Sequence, residues 1–448
     1  MHGAALPALA VALAMFAGTA GAGQWPSRAD APPELLLAPQ APSGPMELEM
    51  RFRAALDDED YDAALIVGET LLPEWEARYG RAGGELVEPL TALGRAQRHA
   101  GAPEAAESTL SRAVDIAREV FGPFSAEQVD PLVELGHAYR EMGEHMVAVA
   151  TYSEAQGLSR RALGLFNPAQ LEMLDGMATS LLAVDAYEDA VDTAVEAFRI
   201  AERRYGAQSP ELLPALYRLA RWYRRTLRFV DEREMYMRAV SIIERDGGDT
   251  DLRLVIPLRS LAGSLRNQQN FIEPNQAPRS PPGHPTGRTA LSRALDVVRA
   301  QDPVPRDVEA RLLVDLGDWQ MAAGRRNAAL DAYREAWQVL ELSEQGTELR
   351  EQWFASPFAV TSPQPSWLGI RPRDAEPGLE DGIVVARYRV NTMGRAEDVD
   401  IVESHPPGLK ESTVRRTLNR TRFRPSFADG EPATSPEQTY EFKFAFEP

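Results

Sequence analysis

Two stretches decide the fold: LGRAQRHAGAPEAAESTLSRAVDIA at residues 93–117 and LGHAYREMGEHMVAVATYSEA at residues 135–155. They begin 42 residues apart and share a Leu-Gly pair, a second Gly seven residues on, and Ala twelve and nineteen residues on. Working outward, Leu48, Leu90, Leu132, Leu174, Leu216 and Leu258 keep the same spacing, and so do Gly80, Gly122, Gly164, Gly206 and Gly248. Two alanine series, Ala64–Ala106–Ala148–Ala190 and Ala113–Ala155–Ala197–Ala239, run in the same phase. Four series in one phase are not chance, so the chain is a stack of similar units.

Each unit reads as two antiparallel helices. Gly101 and Gly143 permit the tight turn between them, and the alanines let the helices cross closely. The Gly80 series stands where a helix C-cap glycine belongs. The phase slips once, because Leu258 to Leu313 is 55 = 42 + 13 residues. The Pro- and Gly-rich EPNQAPRSPPGHP at residues 273–285 supplies the extra 13 and is expected as a loop inserted between the two helices of one unit. Seven units are expected over residues 46–345. The pattern resembles the tetratricopeptide repeat in a variant longer than the usual ~34 residues. The resemblance implies a helical solenoid with a concave face for partners. It also places Arg98, Arg140, Arg224 and Arg266 on first helices facing that surface, with Leu182 interrupting the column. These arginines are groove candidates for an acidic or C-terminal peptide; solvated helix surface is the alternative.

Composition narrows the function. Lys plus Arg number 48 and Asp plus Glu 67, a net charge of −19, which repels a phosphate backbone and argues against nucleic acid. No cysteine is present, which excludes disulfides, thiolate catalysis and thiolate metal sites. Residues 1–22 combine the apolar run ALAVALAMFA with Ala20-Gly21-Ala22, the pattern of an exported precursor. The expectation is a signal peptide and a periplasmic chain, with an uncleaved anchor in the inner membrane, facing the periplasm, as the alternative. Residues 23–45 read as a Pro/Ala-rich linker.

After residue 345 the pattern changes. Residues 346–376 read as a Pro-rich linker, and residues 377–448 as a small α+β domain. GIVVARYRVNTMGRAEDVDIVES at residues 382–404 is a hairpin with Val384, Ala386, Tyr388 and Val390 on one face and Asn391–Gly394 as the turn. Residues 409–423 are expected as a short helix stopped by Pro425. TYEFKFAF at residues 439–446 alternates as a final strand. The motif words Gly382-x-Val384-x3-Tyr388-x-Val390, Gly394, Phe423-x-Pro425 and Gly430 before an aromatic strand resemble the C-terminal domain of the TonB family. That resemblance implies a β-β-α-β fold whose last strand pairs with an extended peptide of an outer-membrane receptor, through Thr439, Tyr440, Glu441, Phe442, Lys443 and Phe444. Its alternative is a domain kept for dimerisation or for docking onto the solenoid, with the edge blocked.

Signals for chemistry are weak. His137 and His145 stand apart from other ligand types, and DDEDYDAALIVGE at residues 57–69 has Ala63 where a calcium loop requires Gly. No phosphate loop, nucleophile elbow or zinc motif occurs. The expectation is a protein-binding chain, not an enzyme, with no metal and no cofactor. It is either associated with TonB-dependent transport across the outer membrane or a periplasmic scaffold without a role in energy transduction.

Overall fold

The computed structural model describes residues 44–271, 286–361 and 380–446. Seven helix pairs follow one another: α1 (Pro45–Asp57) with α2 (Tyr61–Tyr79), α3 (Val87–His99) with α4 (Pro103–Phe121), α5 (Val129–Glu141) with α6 (His145–Leu163), and α7 (Gln170–Ala183) with α8 (Tyr187–Tyr205). Next come α9 (Leu213–Arg225) with α10 (Phe229–Gly247), α11 (Val255–Phe271) with α12 (Gly287–Arg299), and α13 (Arg306–Ala322) with α14 (Arg326–Leu340). Each helix packs on the one before and the one after, as a solenoid requires. The insertion at residues 273–285 lies outside the described residues.

The repeating positions do the packing. Leu90, Leu132, Leu174, Leu216 and Leu258 are buried, and Ala64, Ala106, Ala148 and Ala190 have no exposed surface at all. A larger side chain at those alanines would drive the paired helices apart. The glycines of the Gly80 series close every second helix from α2 to α10 with φ between +77° and +100°. In the six pairs whose turn is described, that turn also has a left-handed residue, at Glu59, Gly101, Gly143, Asp185, Leu227 and Gly324. Three of these are not glycine, so the turn geometry is kept even where the residue best suited to it is absent.

A ladder of ion pairs joins successive second helices. It runs Glu76–Arg112, Arg118–Glu154, Arg160–Glu196, Glu202–Arg238, Glu244–Arg293 and Arg299–Glu335. All six junctions of this kind carry one such pair, yet the positive member is sometimes on the earlier helix and sometimes on the later. Each pair is partly exposed and worth ~0.2–1 kcal/mol. Like charges meeting there would cost a similar amount.

The C-terminal region departs from the expected linker. Residues 346–376 begin with helix α15 (Gly346–Phe354) and strand β1 (Phe358–Thr361), because Phe354 and Val360 are buried against the last repeat. Strands β2 (Glu380–Val390) and β3 (Ala396–His405), helix α16 (Glu411–Arg420), three short strands β4 (Arg422–Arg424), β5 (Ser426–Ala428) and β6 (Glu431–Ala433), and strand β7 (Gln438–Phe446) complete the fold. The order in the main sheet is β3-β2-β7, all antiparallel; β1 pairs with β4, and β5 with β6. Helix α16 packs on β3 and β2 through Val414 and Leu418.

The helix ends at Arg420, short of the expected residue 423. Thr421 turns extended with its hydroxyl bonded back to the Thr417 carbonyl at 2.8 Å, and the Phe423 amide bonds to the Gly394 carbonyl at 3.0 Å. Pro425 therefore follows a strand and does not stop the helix. Gly394 is required at its position: its φ is +70°, and an added Cβ would lie 2.1 Å from the Phe423 carbonyl oxygen.

Candidate protein-interaction surfaces

The edge strand comes first, because it is built from the most regular pairing in the domain. β7 matches β2 through nine consecutive partners, Gln438↔Tyr388 to Phe446↔Glu380, without a register shift. β3, at the opposite edge, has two register shifts, a left-handed Asp398 and a run of acids at Glu397, Asp398, Asp400 and Glu403. Bulges and charge are how sheet edges are closed to further strands. Among the described residues β7 pairs only with β2, and its outer backbone edge is regular. Phe442 and Phe444 are buried on the helix-side face with Tyr440 half-buried, while Thr439, Glu441 and Lys443 are exposed on the other. All six residues expected to pair with a partner thus lie on one open edge strand. Burial pushes the Tyr440 hydroxyl up, so it stays neutral across the physiological range.

The docking segment is distinct from that edge. Residues 422–433 lie on the last repeat. Phe427 is buried among solenoid side chains, with ring centroids 4.9 Å from Phe354, 6.1 Å from Trp337 and 6.1 Å from Tyr333. Arg422 donates to the Ala322 and Met321 carbonyls at the end of α13, where the helix dipole favours a cation. Arg334 pairs with Glu431 at 2.8 Å. Arg424, only 5% exposed, sits over the rings of Phe358, Phe354 and Tyr333 and 3.7 Å from Asp318. Asp318 also accepts from the Tyr333 hydroxyl at 2.9 Å and from Arg266 at 3.1 Å. Burial and the neighbouring Asp318 carboxylate hold the Tyr333 hydroxyl far above its ordinary range. The domain is therefore held on the solenoid by one segment and leaves β7 for other contacts.

The groove candidates divide into two groups. Arg98 is held by Glu134 and by Glu141, with its side chain nearly buried. Arg140 faces Glu141 at 3.7 Å. Arg224 pairs with the fully buried Glu232 at 2.6 Å, and Arg266 with Asp318. Burial raises the Glu232 carboxyl, and the bonds from Ser264 and Arg224 oppose that shift. Arg98 and Arg140 meet at Glu141, and Arg224 and Arg266 line a cavity of about 600 Å³ over α9, α11, α13 and α15. Arg259 and Arg311 join them there and share Asp315. Arg311 also lies over the Trp353 ring, and its Nε is buried with no hydrogen-bond partner among the described residues. These two arginines fall outside the 42-residue column, which is why the sequence did not single them out.

The remaining candidates have structural explanations. Asp60 caps α2 by accepting from the Ala63 amide at 3.1 Å, so the acidic stretch at residues 57–69 is a helix start. His137 receives or gives a bond to the Tyr152 hydroxyl at 2.7 Å and lies 3.2 Å from Glu172, while His145 opens α6 on a different helix. Among the described residues no helix is long and apolar enough to cross a membrane; the apolar segment at residues 1–22 lies outside them.

No curated protein sequence matches the chain. Among solved structures, the C-terminal part of a TPR repeat-containing protein from Cytophaga hutchinsonii is 11% identical, with 68% of this chain and 98% of that one covered and a TM-score of 0.43. A putative kinesin light chain with nearly identical TPR-like repeats from Podosopora anserina is 17% identical over 45% of this chain and 98% of that one, at a TM-score of 0.40. Residues 171–245 match the tetratricopeptide repeat family, and residues 372–447 match the Gram-negative bacterial TonB protein C-terminal family. The chain carries tetratricopeptide repeats followed by a TonB-type C-terminal domain.

Proposed function

We propose that this is a non-enzymatic periplasmic protein that joins two kinds of protein partner. One is an extended peptide added as a further strand beside β7, from an outer-membrane receptor of TonB-dependent transport. The other binds the concave face of the solenoid, at the cavity that holds Arg224, Arg259, Arg266 and Arg311. The observation that carries the reading is the contrast between the two sheet edges: β3 is bulged and acidic, β7 regular and open. Backbone hydrogen bonds along β7 would supply affinity, and Tyr440 and the exposed Thr439, Glu441 and Lys443 would tune selection. In the cavity, an acidic side chain of the partner is the complement of the four arginines that line it.

The test is hydrogen-exchange mass spectrometry on the full chain with an extended peptide from such a receptor. Slower exchange confined to residues 438–446 is expected. No slowing at millimolar peptide favours the other reading, a periplasmic scaffold in which the docked domain serves only to organise the solenoid.

A further inference from the structure

Every helix pair but one sets a large side chain against a small one at the same two positions of the 42-residue period. The first helix gives the small residue and the second the large one in Gly94 with Leu110, Gly136 with Tyr152, Ala220 with Tyr236, Ala262 with Leu291 and Gly317 with Tyr333. The first pair reverses the order, with Phe52 and Gly68. Large and small residues meet: a Cβ added at Gly94, Gly136 or Gly317 would lie 2.5, 2.6 or 2.2 Å from Leu110, Tyr152 or Tyr333, and one added at Gly68 would lie 2.8 Å from Phe52. In the fourth pair both positions are small, Ala178 and Ala194. The side chain that fills the other pairs is missing there. Phe198 and Trp222 make up part of the loss, since Val114 and Val240, and Ala138 and Ser264, stand at their positions in other pairs. A slot of about 170 Å³ remains between α7, α8 and α9, walled by Leu174, Ala194, Phe198, Leu219 and Trp222, all buried. An apolar cavity of about 150 Å³ lined by such residues stays dry and takes up an aromatic ring.

The mouth of the slot identifies where its occupant comes from. Leu171, Asp175 and Arg218 line the slot and also a neighbouring hollow of about 560 Å³ that holds His137, Arg140 and Glu172. That hollow runs over the first helices of three successive repeats, α5, α7 and α9, and is lined by polar and charged groups. A chain lying in it passes over the mouth and can lower one side chain into the slot. The kind of side chain follows from what is absent: three of the pairs above use Tyr at the position of Ala194, and the aromatic walls Phe198 and Trp222 favour a ring through edge and offset contacts. We propose that the slot is an anchor pocket for one aromatic side chain, Tyr or Phe, of a peptide that lies along the first helices of repeats three to five. The proposal rests on the reading that the concave face binds a protein partner. It adds a second point of contact, which shares no residue with the arginine cavity.

The experiment is nuclear magnetic resonance on the full chain with labelled Leu and Ala methyl groups. The probes are N-acetyl-tyrosinamide and N-acetyl-phenylalaninamide, with N-acetyl-alaninamide as control and free p-cresol as the ring without a chain. The ring protons of the two aromatic amides should show Overhauser contacts to the methyl groups of Leu174, Ala194 and Leu219, and the alanine amide should show none. Ala194→Leu restores the side chain found at Leu110 and Leu291. It should weaken binding of both aromatic amides about tenfold or more while the helical circular dichroism stays unchanged. If that variant does not fold, the contacts in the unaltered chain still decide. The proposal is overturned if the rings touch other methyl groups or none, if a folded Ala194→Leu binds as well as the parent, or if p-cresol enters and neither amide does; the slot would then be a packing defect or a site for a free small molecule. Neither β7 nor the arginine cavity is probed, so such a failure leaves the function proposed above standing.

Discussion

Phe427→Ala tests whether the C-terminal domain is bound to the solenoid or merely tethered to it. Phe427 is 7% exposed, and its ring neighbours Phe354, Trp337 and Tyr333 all belong to the solenoid or to α15. It takes no part in the domain's own core of Val384, Ala386, Val390, Val414, Leu418, Phe423, Phe442 and Phe444. Truncating a buried Phe costs ~3–5 kcal/mol when the cavity cannot collapse. Here the cost falls on docking, and ~3 kcal/mol shifts the docked-to-undocked ratio by about two powers of ten. The assay is native-state hydrogen exchange by mass spectrometry, with small-angle scattering for overall size. Peptides from α14, α15 and residues 422–433 should exchange about a hundredfold faster, and β2, β3 and β7 should keep their protection. Phe442→Ala is the opposite control and should release the sheet first. If Phe427→Ala unfolds the sheet together with the docking segment, or leaves α14 and α15 unchanged, the separation of the two cores is refuted.

Three further outcomes follow from the geometry. Glu244→Arg and Arg293→Glu should each loosen the α10–α12 junction by about 1 kcal/mol, roughly fivefold in amide exchange, and the double exchange should restore it; equal loss in the double variant would show that the ion pair contributes nothing. Leu227→Gly should stabilise the α9–α10 turn by about 1 kcal/mol, since a left-handed φ of 59° costs a branched residue more than glycine loses in chain entropy; a lowered melting temperature would contradict it. Gly394→Ala should destabilise the C-terminal domain by more than ~1 kcal/mol, seen as loss of protection in β3 and β4, and an unchanged melting profile would show that the Gly394–Phe423 approach is not tight.

The solenoid was legible because its units repeat. One Leu, one Gly and two Ala recurring in phase give both the helix pair and its packing contacts, and burial at those positions follows directly. The β-β-α-β order was equally readable from alternation in residues 382–390 and 439–446. The docking was not. Phe427 sits in a segment that reads as a turn between a helix and a strand, and nothing local says that its ring belongs to a core 73 to 94 residues upstream. Phe354 and Val360 were hidden for the same reason, inside a stretch whose prolines suggested a linker. In the arginine column, spacing alone could not separate Arg98, already held by two carboxylates, from Arg266 at the cavity. Arg259 and Arg311 lie off the period altogether and are brought in by the packing of α11 against α13.

The ladder of ion pairs has a consequence for the history of the chain. Because the order of charges reverses at some junctions and is kept across the third and fifth units, the units are not interchangeable. Losing the third unit would bring Arg118 to Glu196, and losing the fifth would bring Glu202 to Arg293; both splices join opposite charges. Losing the second, fourth or sixth would set Glu76 against Glu154, Arg160 against Arg238, or Glu244 against Glu335. Tandem duplication follows the same parity, since the second helices of the third and fifth units carry opposite signs on their two flanks and those of the second, fourth and sixth units carry the same sign on both. Recombination can therefore lengthen or shorten this array cleanly at odd-numbered interior units, whereas a change at an even-numbered one needs a compensating reversal of charge.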